Sequence, residues 1–173
     1  TQYIMVHNGV ISNPQELKRE HEKLGIKYNT VLKDRSFNDS EALLWDFALT
    51  MEGKQTELKA TGTIAFICLE EKDGKLTNMY FGRNDGNPLK LFKDKKGIAL
   101  SSEGNGDAIT PNQLYTYNYE NNSIVQKHFN VPRWKYVGGN YSGFKSGLAS
   151  DNPYSSAPSW DNWEDDYTHY AST

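Results

Sequence analysis

Residues 62–69, Gly62-Thr63-Ile64-Ala65-Phe66-Ile67-Cys68-Leu69, form a near-continuous apolar run. A run of this length, without polar alternation, reads as an interior strand that must be covered on both faces. A second segment makes a similar demand. From Asn38 to Met51 or Glu52, the residues Ala42, Leu43, Leu44, Trp45, Phe47, Ala48, Leu49 and Met51 surround most of a helical cylinder, so that helix needs cover on more than one side. A strand and a helix of this kind satisfy each other in layers, and the expected class is α+β, with helices stacked on antiparallel sheet.

The remaining segments fill in that plan. Tyr3-Ile4-Met5-Val6 is a short β-type run, expected to be buried on both faces and to stop at His7-Asn8-Gly9. A helix is expected next, with Asn13 as N-cap, Pro14 in the first helical position and Glu16 closing a capping box. Leu17, His21 and Leu24 share one face of it, and Gly25 ends it. After the linker from Gly53 to Lys59 and the apolar strand, Asp73-Gly74 marks a hairpin turn into a strand from Leu76 to Arg83. Asn84-Asp85-Gly86-Asn87-Pro88 is a longer turn. Four more strands are expected over Leu89 to Phe92, Ile98 to Ser102, Gln113 to Tyr119 and Ser123 to Phe129, with the stretch from Glu103 to Pro111 as loop.

With 173 residues the chain has room for one domain and a tail. The composition changes near Val137, giving a domain over residues 1–137 and a tail over 138–173 rich in Gly, Ser, Asn, Asp, Tyr and Trp. One lysine and five acidic residues give the tail a net charge of −4, leaving +1 for the rest of the −3 total. With so few Leu, Ile or Val the tail is read as flexible, and Tyr154, Trp160, Trp163, Tyr167 and Tyr170 are its candidates for contact with a protein partner. Within these 173 residues no run reads as a signal peptide or an apolar membrane span, so no membrane contact is expected, and no dense basic stripe suggests nucleic acid. Cys68 is the only cysteine, so no internal disulfide forms, and a reducing, cytoplasmic location is expected. Cys68 sits in an apolar run where a thiol is an inert packing residue. His21, His128 and His169 have no metal-ligand spacing, and neither a metal nor a cofactor is expected.

Six ordered segments carry a family resemblance across Thr1 to Phe129. They are His7-Asn8-Gly9-Val10-Ile11-Ser12-Asn13, Glu16-Leu17, Asn38-Asp39-Ser40-Glu41, Gly62-Thr63-Ile64-Ala65-Phe66, Gly82-Arg83-Asn84-Asp85-Gly86-Asn87-Pro88-Leu89 and Ala99-Leu100-Ser101-Ser102-Glu103. In this order they resemble the class II glutamine amidotransferases, N-terminal-nucleophile hydrolases that release ammonia from glutamine. The resemblance implies an αββα sandwich and a site in which Asn8 and Gly9 form the oxyanion hole. Attack on an amide creates a tetrahedral oxyanion, which needs donors already aimed at it. It also implies that Asp39 holds the α-amino group of glutamine, a charge-assisted contact that selects an amino acid over a simple amide. Asp39 at a helix start is equally suited to capping, and both roles are compatible. Glu41 is read as structural and His7 as positional.

The family pattern also contains an N-terminal cysteine nucleophile and, before the His-Asn-Gly strand, an arginine for the substrate carboxylate. Neither is among these 173 residues. The expectation is a fragment of a longer chain, with completion by a second polypeptide and loss of activity as alternatives. Thr1 is a poor substitute nucleophile, because six residues of extended strand put it about 20 Å from His7 at about 3.3 Å per residue. The expected function of the complete protein is glutamine hydrolysis to glutamate and ammonia. The alternative is a catalytically inactive, amidotransferase-like interaction protein.

Overall fold

Alternation along the apolar strand sorts the molecule into two cores. In a computed structural model describing residues 1–33, 36–95 and 97–133, that strand, β2 (Gly62–Lys72), turns Ile64, Phe66 and Cys68 to one side and Ala65 and Ile67 to the other. The first side packs on two helices, α1 (Pro14–Lys23) and α2 (Asp39–Met51), through Leu17, Ala42, Leu43 and Phe47. Phe47 is the centre of this core, with Phe66 and Tyr80 rings 5.2 and 5.6 Å from it. The second side packs on residues of a separate small sheet, among them Leu91, Ile98 and Leu100.

The large sheet holds β1 (Gln2–Ile11), β2, β3 (Lys75–Arg83), β7 (Gln113–Asn118) and β8 (Ser123–His128), in the order β1-β2-β3-β7-β8. Every pairing in it is antiparallel. The small sheet, ordered β5-β4-β6, is built from β4 (Lys90–Asp94), β5 (Gly97–Ser101) and β6 (Asp107–Ala108). Helices on one face of a five-stranded sheet and a three-stranded sheet on the other give the expected α+β, αββα-like layering.

Several local expectations are corrected. The first strand does not stop at His7-Asn8-Gly9 but runs through it to Ile11, because the whole segment pairs with β2 from Gln2↔Glu71 to Ile11↔Gly62. Nor is it buried on both faces. It is the edge strand, and Ile4, Val6 and Val10 are exposed on the face turned from the helices. Asn13 does not cap α1 with its side chain; the amide instead bridges to the segment leading into β2, donating to the Lys59 carbonyl and accepting from Thr61 N–H. Leu24 lies past the last helical residue and is exposed. The stretch from Glu103 to Pro111 contains β6, which adds to β4 through Lys90↔Ala108 and Leu91↔Asp107.

Other elements form as their residues dictate. Asp73 and Gly74 both take positive φ, 51° and 74°, as a tight hairpin turn requires. Asn38 is the side-chain cap of α2, accepting from Ser40 N–H at 3.0 Å. Glu41, nearly buried, accepts from Asn29 N–H, Thr30 N–H and the Thr30 hydroxyl, pinning the loop before the helix. Burial alone raises its pKa, but these hydrogen bonds outweigh burial and hold the carboxyl below its ordinary range. The proposed tail, 138–173, lies outside the described residues.

Candidate functional site

The site is built along the outer edge of β1, where pairing with β2 leaves one side of the strand open. Gly9 sits there with φ +139°, and a Cβ added to it would stand 1.7 Å from the Thr63 carbonyl oxygen and 2.7 Å from Asn87 Nδ2. Only glycine fits such a backbone and such an approach. The adjacent peptide is oriented from outside the strand. Asn87, in the turn after β3, donates from Nδ2 to the Asn8 carbonyl at 2.8 Å. The described chain contains no cis peptide bond, so the Gly9 N–H points opposite to that carbonyl, away from Asn87.

Asp39 meets the same edge from the helix layer. As the first residue of α2 it brings Oδ2 to within 2.9 Å of Ile11 N–H, which donates to it, while Oδ1 has no hydrogen-bond partner among the described residues. Gly9 and Ile11 are two residues apart, about 7 Å along a strand. The amino nitrogen and side-chain carbonyl carbon of an extended glutamine are separated by four bonds, roughly 5 Å at about 1.5 Å per bond with tetrahedral angles. The Gly9 N–H and the Ile11 N–H that Asp39 accepts are thus separated along the strand by a distance on the scale of an extended glutamine side chain.

Asn8 approaches from the other face. It pairs with Ala65, as Val6 pairs with Ile67, and all four side chains point toward the small sheet. There they line an open hollow of about 190 Å³ that also includes Pro88, Ser101 and Ser102. Asp39 is not part of that hollow, so the three predicted groups are gathered along one strand edge rather than enclosed in one cavity. The side-chain amide of Asn8 is exposed and has no hydrogen-bond partner among the described residues.

His7 links the strand to the helix start. Its Nε2 lies 3.4 Å from the Thr63 carbonyl, which only accepts, so Nε2 carries the proton and Nδ1 accepts from the Ser40 hydroxyl at 3.2 Å. Burial pushes the His7 pKa down, partly opposed by the Thr63 carbonyl and by the charge of Asp39. The ring thus has both nitrogens occupied and ties β1 to Ser40 in the first turn of α2. Cys68 is fully buried, and burial pushes its thiol up to about 12. No group of three His, Cys, Asp or Glu side chains among the described residues is placed to hold a metal ion.

Behind the Asn87 turn is a residue that the sequence left as ordinary turn material. Asn84 is 1% exposed, and its Oδ1 accepts from Ile64 N–H and Gly86 N–H while Nδ2 donates to the carbonyls of Gly62 and Pro132. Arg83 braces the same turn, donating through its guanidinium to the carbonyls of Ile109, Asn84 and Asn87.

The chain aligns with the glutamine–fructose-6-phosphate aminotransferase (isomerizing) of Aquifex aeolicus (strain VF5), at 26% identity over 166 residues. The chain is a class II glutamine amidotransferase homologue. No family model matches it. The alignment takes in 83% of this chain but only 26% of the Aquifex enzyme, so this homologue spans about a quarter of that relative's length. Two solved structures share the fold. One is the allosteric regulatory enzyme of purine biosynthesis (TM-score 0.51, 19% identity), covering 76% of this chain and 29% of its own. The other is the glutamine phosphoribosylpyrophosphate amidotransferase of B. subtilis (TM-score 0.50, 19% identity), covering 74% of this chain and 29% of its own.

Proposed function

We propose that the complete protein hydrolyses the side-chain amide of glutamine, giving glutamate and ammonia, and that the β1 edge is its substrate site. The observation that supports this reading is an outward-facing Gly9 N–H two residues along the same strand edge from Ile11, whose N–H donates to Asp39, a carboxylate whose Oδ1 has no hydrogen-bond partner among the described residues. Asn8 and Gly9 are assigned to the oxyanion and Asp39 to the substrate's α-ammonium group. A cysteine thiolate adds to the amide carbon, forming a C–S bond while the carbonyl electron pair moves onto oxygen. Collapse of that oxyanion breaks the C–N bond, the nitrogen leaves as ammonia with an added proton, and water then cleaves the thioester to glutamate. Cys68 is unsuited to the attack, being buried and protonated at neutral pH. The thiolate must therefore come from residues outside these 173.

Preorganised donors of this type contribute about 10²- to 10³-fold to kcat each. Glutamate release by the full-length protein is thus expected to fall by about that factor in Asn8→Ala. Asp39→Asn is expected to act differently, raising KM for glutamine while leaving turnover of a simple amide unchanged. Undiminished turnover in Asn8→Ala would remove the oxyanion assignment. No glutamate release from the full-length wild type would favour the inactive, partner-binding alternative.

A further inference from the structure

We propose that Asn87 is a positioning residue whose side-chain amide sets the direction and donor strength of the Gly9 N–H; this rests on the glutaminase reading above. The Asn8–Gly9 peptide lies on the edge strand, in a ladder that runs without a register shift, Asn8 facing Ala65 and Gly9 facing Ile64. Val10 N–H takes the Thr63 hydroxyl, and Gly9 on one strand and Gly62 on the other both have positive φ, 139° and 151°. With Gly9 on one side of it and no strand beyond β1, this peptide is held by its ladder on one side only, and its plane tilts more readily than one between two substituted residues. The Asn87 amide restrains it. Its bond to the Asn8 carbonyl, 79 residues away in sequence, holds the oxygen inward and the Gly9 N–H outward.

The turn that carries Asn87 is itself rigid. Arg83 holds the Asn87 carbonyl at 3.0 Å, and the buried Asn84 amide fixes the turn to β2. Gly9 completes the arrangement, since any Cβ there would collide with Asn87 Nδ2. A hydrogen bond accepted by a peptide carbonyl also polarises the N–H of the same peptide, making it a stronger donor. Asn87 therefore acts on an oxyanion without touching it. A donor misaligned, rather than deleted, costs less than the full loss of an oxyanion contact.

The test substitutes Asn87→Asp, which keeps the shape but sets a carboxylate against the Asn8 carbonyl, and Asn87→Ser as a second variant should the first fold poorly. Glutaminase kinetics and the amide resonance of Gly9 are followed in full-length, 15N-glycine-labelled protein. The expected result is a fall in kcat of about tenfold to a hundredfold, with KM within about twofold. The Gly9 amide proton is expected to move upfield in parallel. A folded variant with wild-type kcat and an unmoved Gly9 resonance overturns the proposal. So does a fall in Tm with an unmoved resonance, which marks Asn87 as merely structural. A wild type without glutaminase activity sinks the functional reading instead, while the Gly9 resonance still decides whether Asn87 orients that peptide.

Discussion

Asn84→Ala tests whether the turn bearing Asn87 is held by one buried amide. The substitution removes four hydrogen bonds, but they do not count equally. Gly86 N–H is half-buried and can be hydrated, and the Pro132 carbonyl keeps a second partner in Gly62 N–H. The Ile64 N–H and the Gly62 carbonyl are left, both buried and both without another partner on that side of β2. A buried group stranded in this way costs about 1–3 kcal/mol, so the pair predicts a loss of roughly 3 kcal/mol, allowing for some water entering the space. For a body of this size that corresponds to a fall in Tm of about 10–15 °C. Urea unfolding followed by circular dichroism is the assay, with an unchanged m-value expected alongside the lower midpoint. A loss under about 1 kcal/mol would refute the reasoning, since it would mean that these two groups find other partners. Asn84→Asp sharpens the test: it keeps both acceptor bonds yet points an oxygen at the Gly62 and Pro132 carbonyls, and is expected to be destabilising as well.

Three further outcomes follow from the same geometry. Gly9→Ala places a methyl group 1.7 Å from the Thr63 carbonyl at φ +139°, and is expected to cost about 3 kcal/mol or more in urea unfolding through strain and strand displacement. Cys68, with its thiol pushed up to about 12, is expected to resist a thiol reagent at pH 8 in the native protein and to react at once in urea; rapid native labelling would contradict its burial. His21 is buried against the Tyr28 hydroxyl, and burial holds its pKa below the ordinary 6.5. The unfolded chain then binds the proton more readily, so stability is full above about 6.5 and declines as pH falls through that value; His21→Leu is expected to flatten the decline in midpoint measured from pH 7.5 to 5.

Local pattern and tertiary structure divided the work in a way that particular residues make clear. The apolar run of β2, the wrapped apolar surface of α2 and the Asp73-Gly74 turn were legible in the sequence, because periodicity and turn chemistry depend on neighbours a few residues away. From these came the α+β class and the antiparallel strands, while the ordered motifs carried the resemblance to class II glutamine amidotransferases. Two sheets were expected from the family resemblance, but which strands fall in which sheet was not legible. Nothing local to β4 or β5 distinguishes them from β7, and only the packing of Leu91, Ile98 and Leu100 on Phe81 and Ile109 draws them out of the main sheet. The same limit hid the ends of β1. Its pairing partner lies some sixty residues on, so the strand continues through His7-Asn8-Gly9 where the sequence suggested a turn. Asn13 and Asn84 failed for a related reason, since an amide reads as a cap or a turn residue until a distant backbone group claims it. At the candidate site, sequence alone named Asn8, Gly9 and Asp39, whereas their alignment along one strand edge, and the reach of Asn87 across 79 residues to orient the peptide between the first two, were decided by long-range contacts that no local pattern encodes.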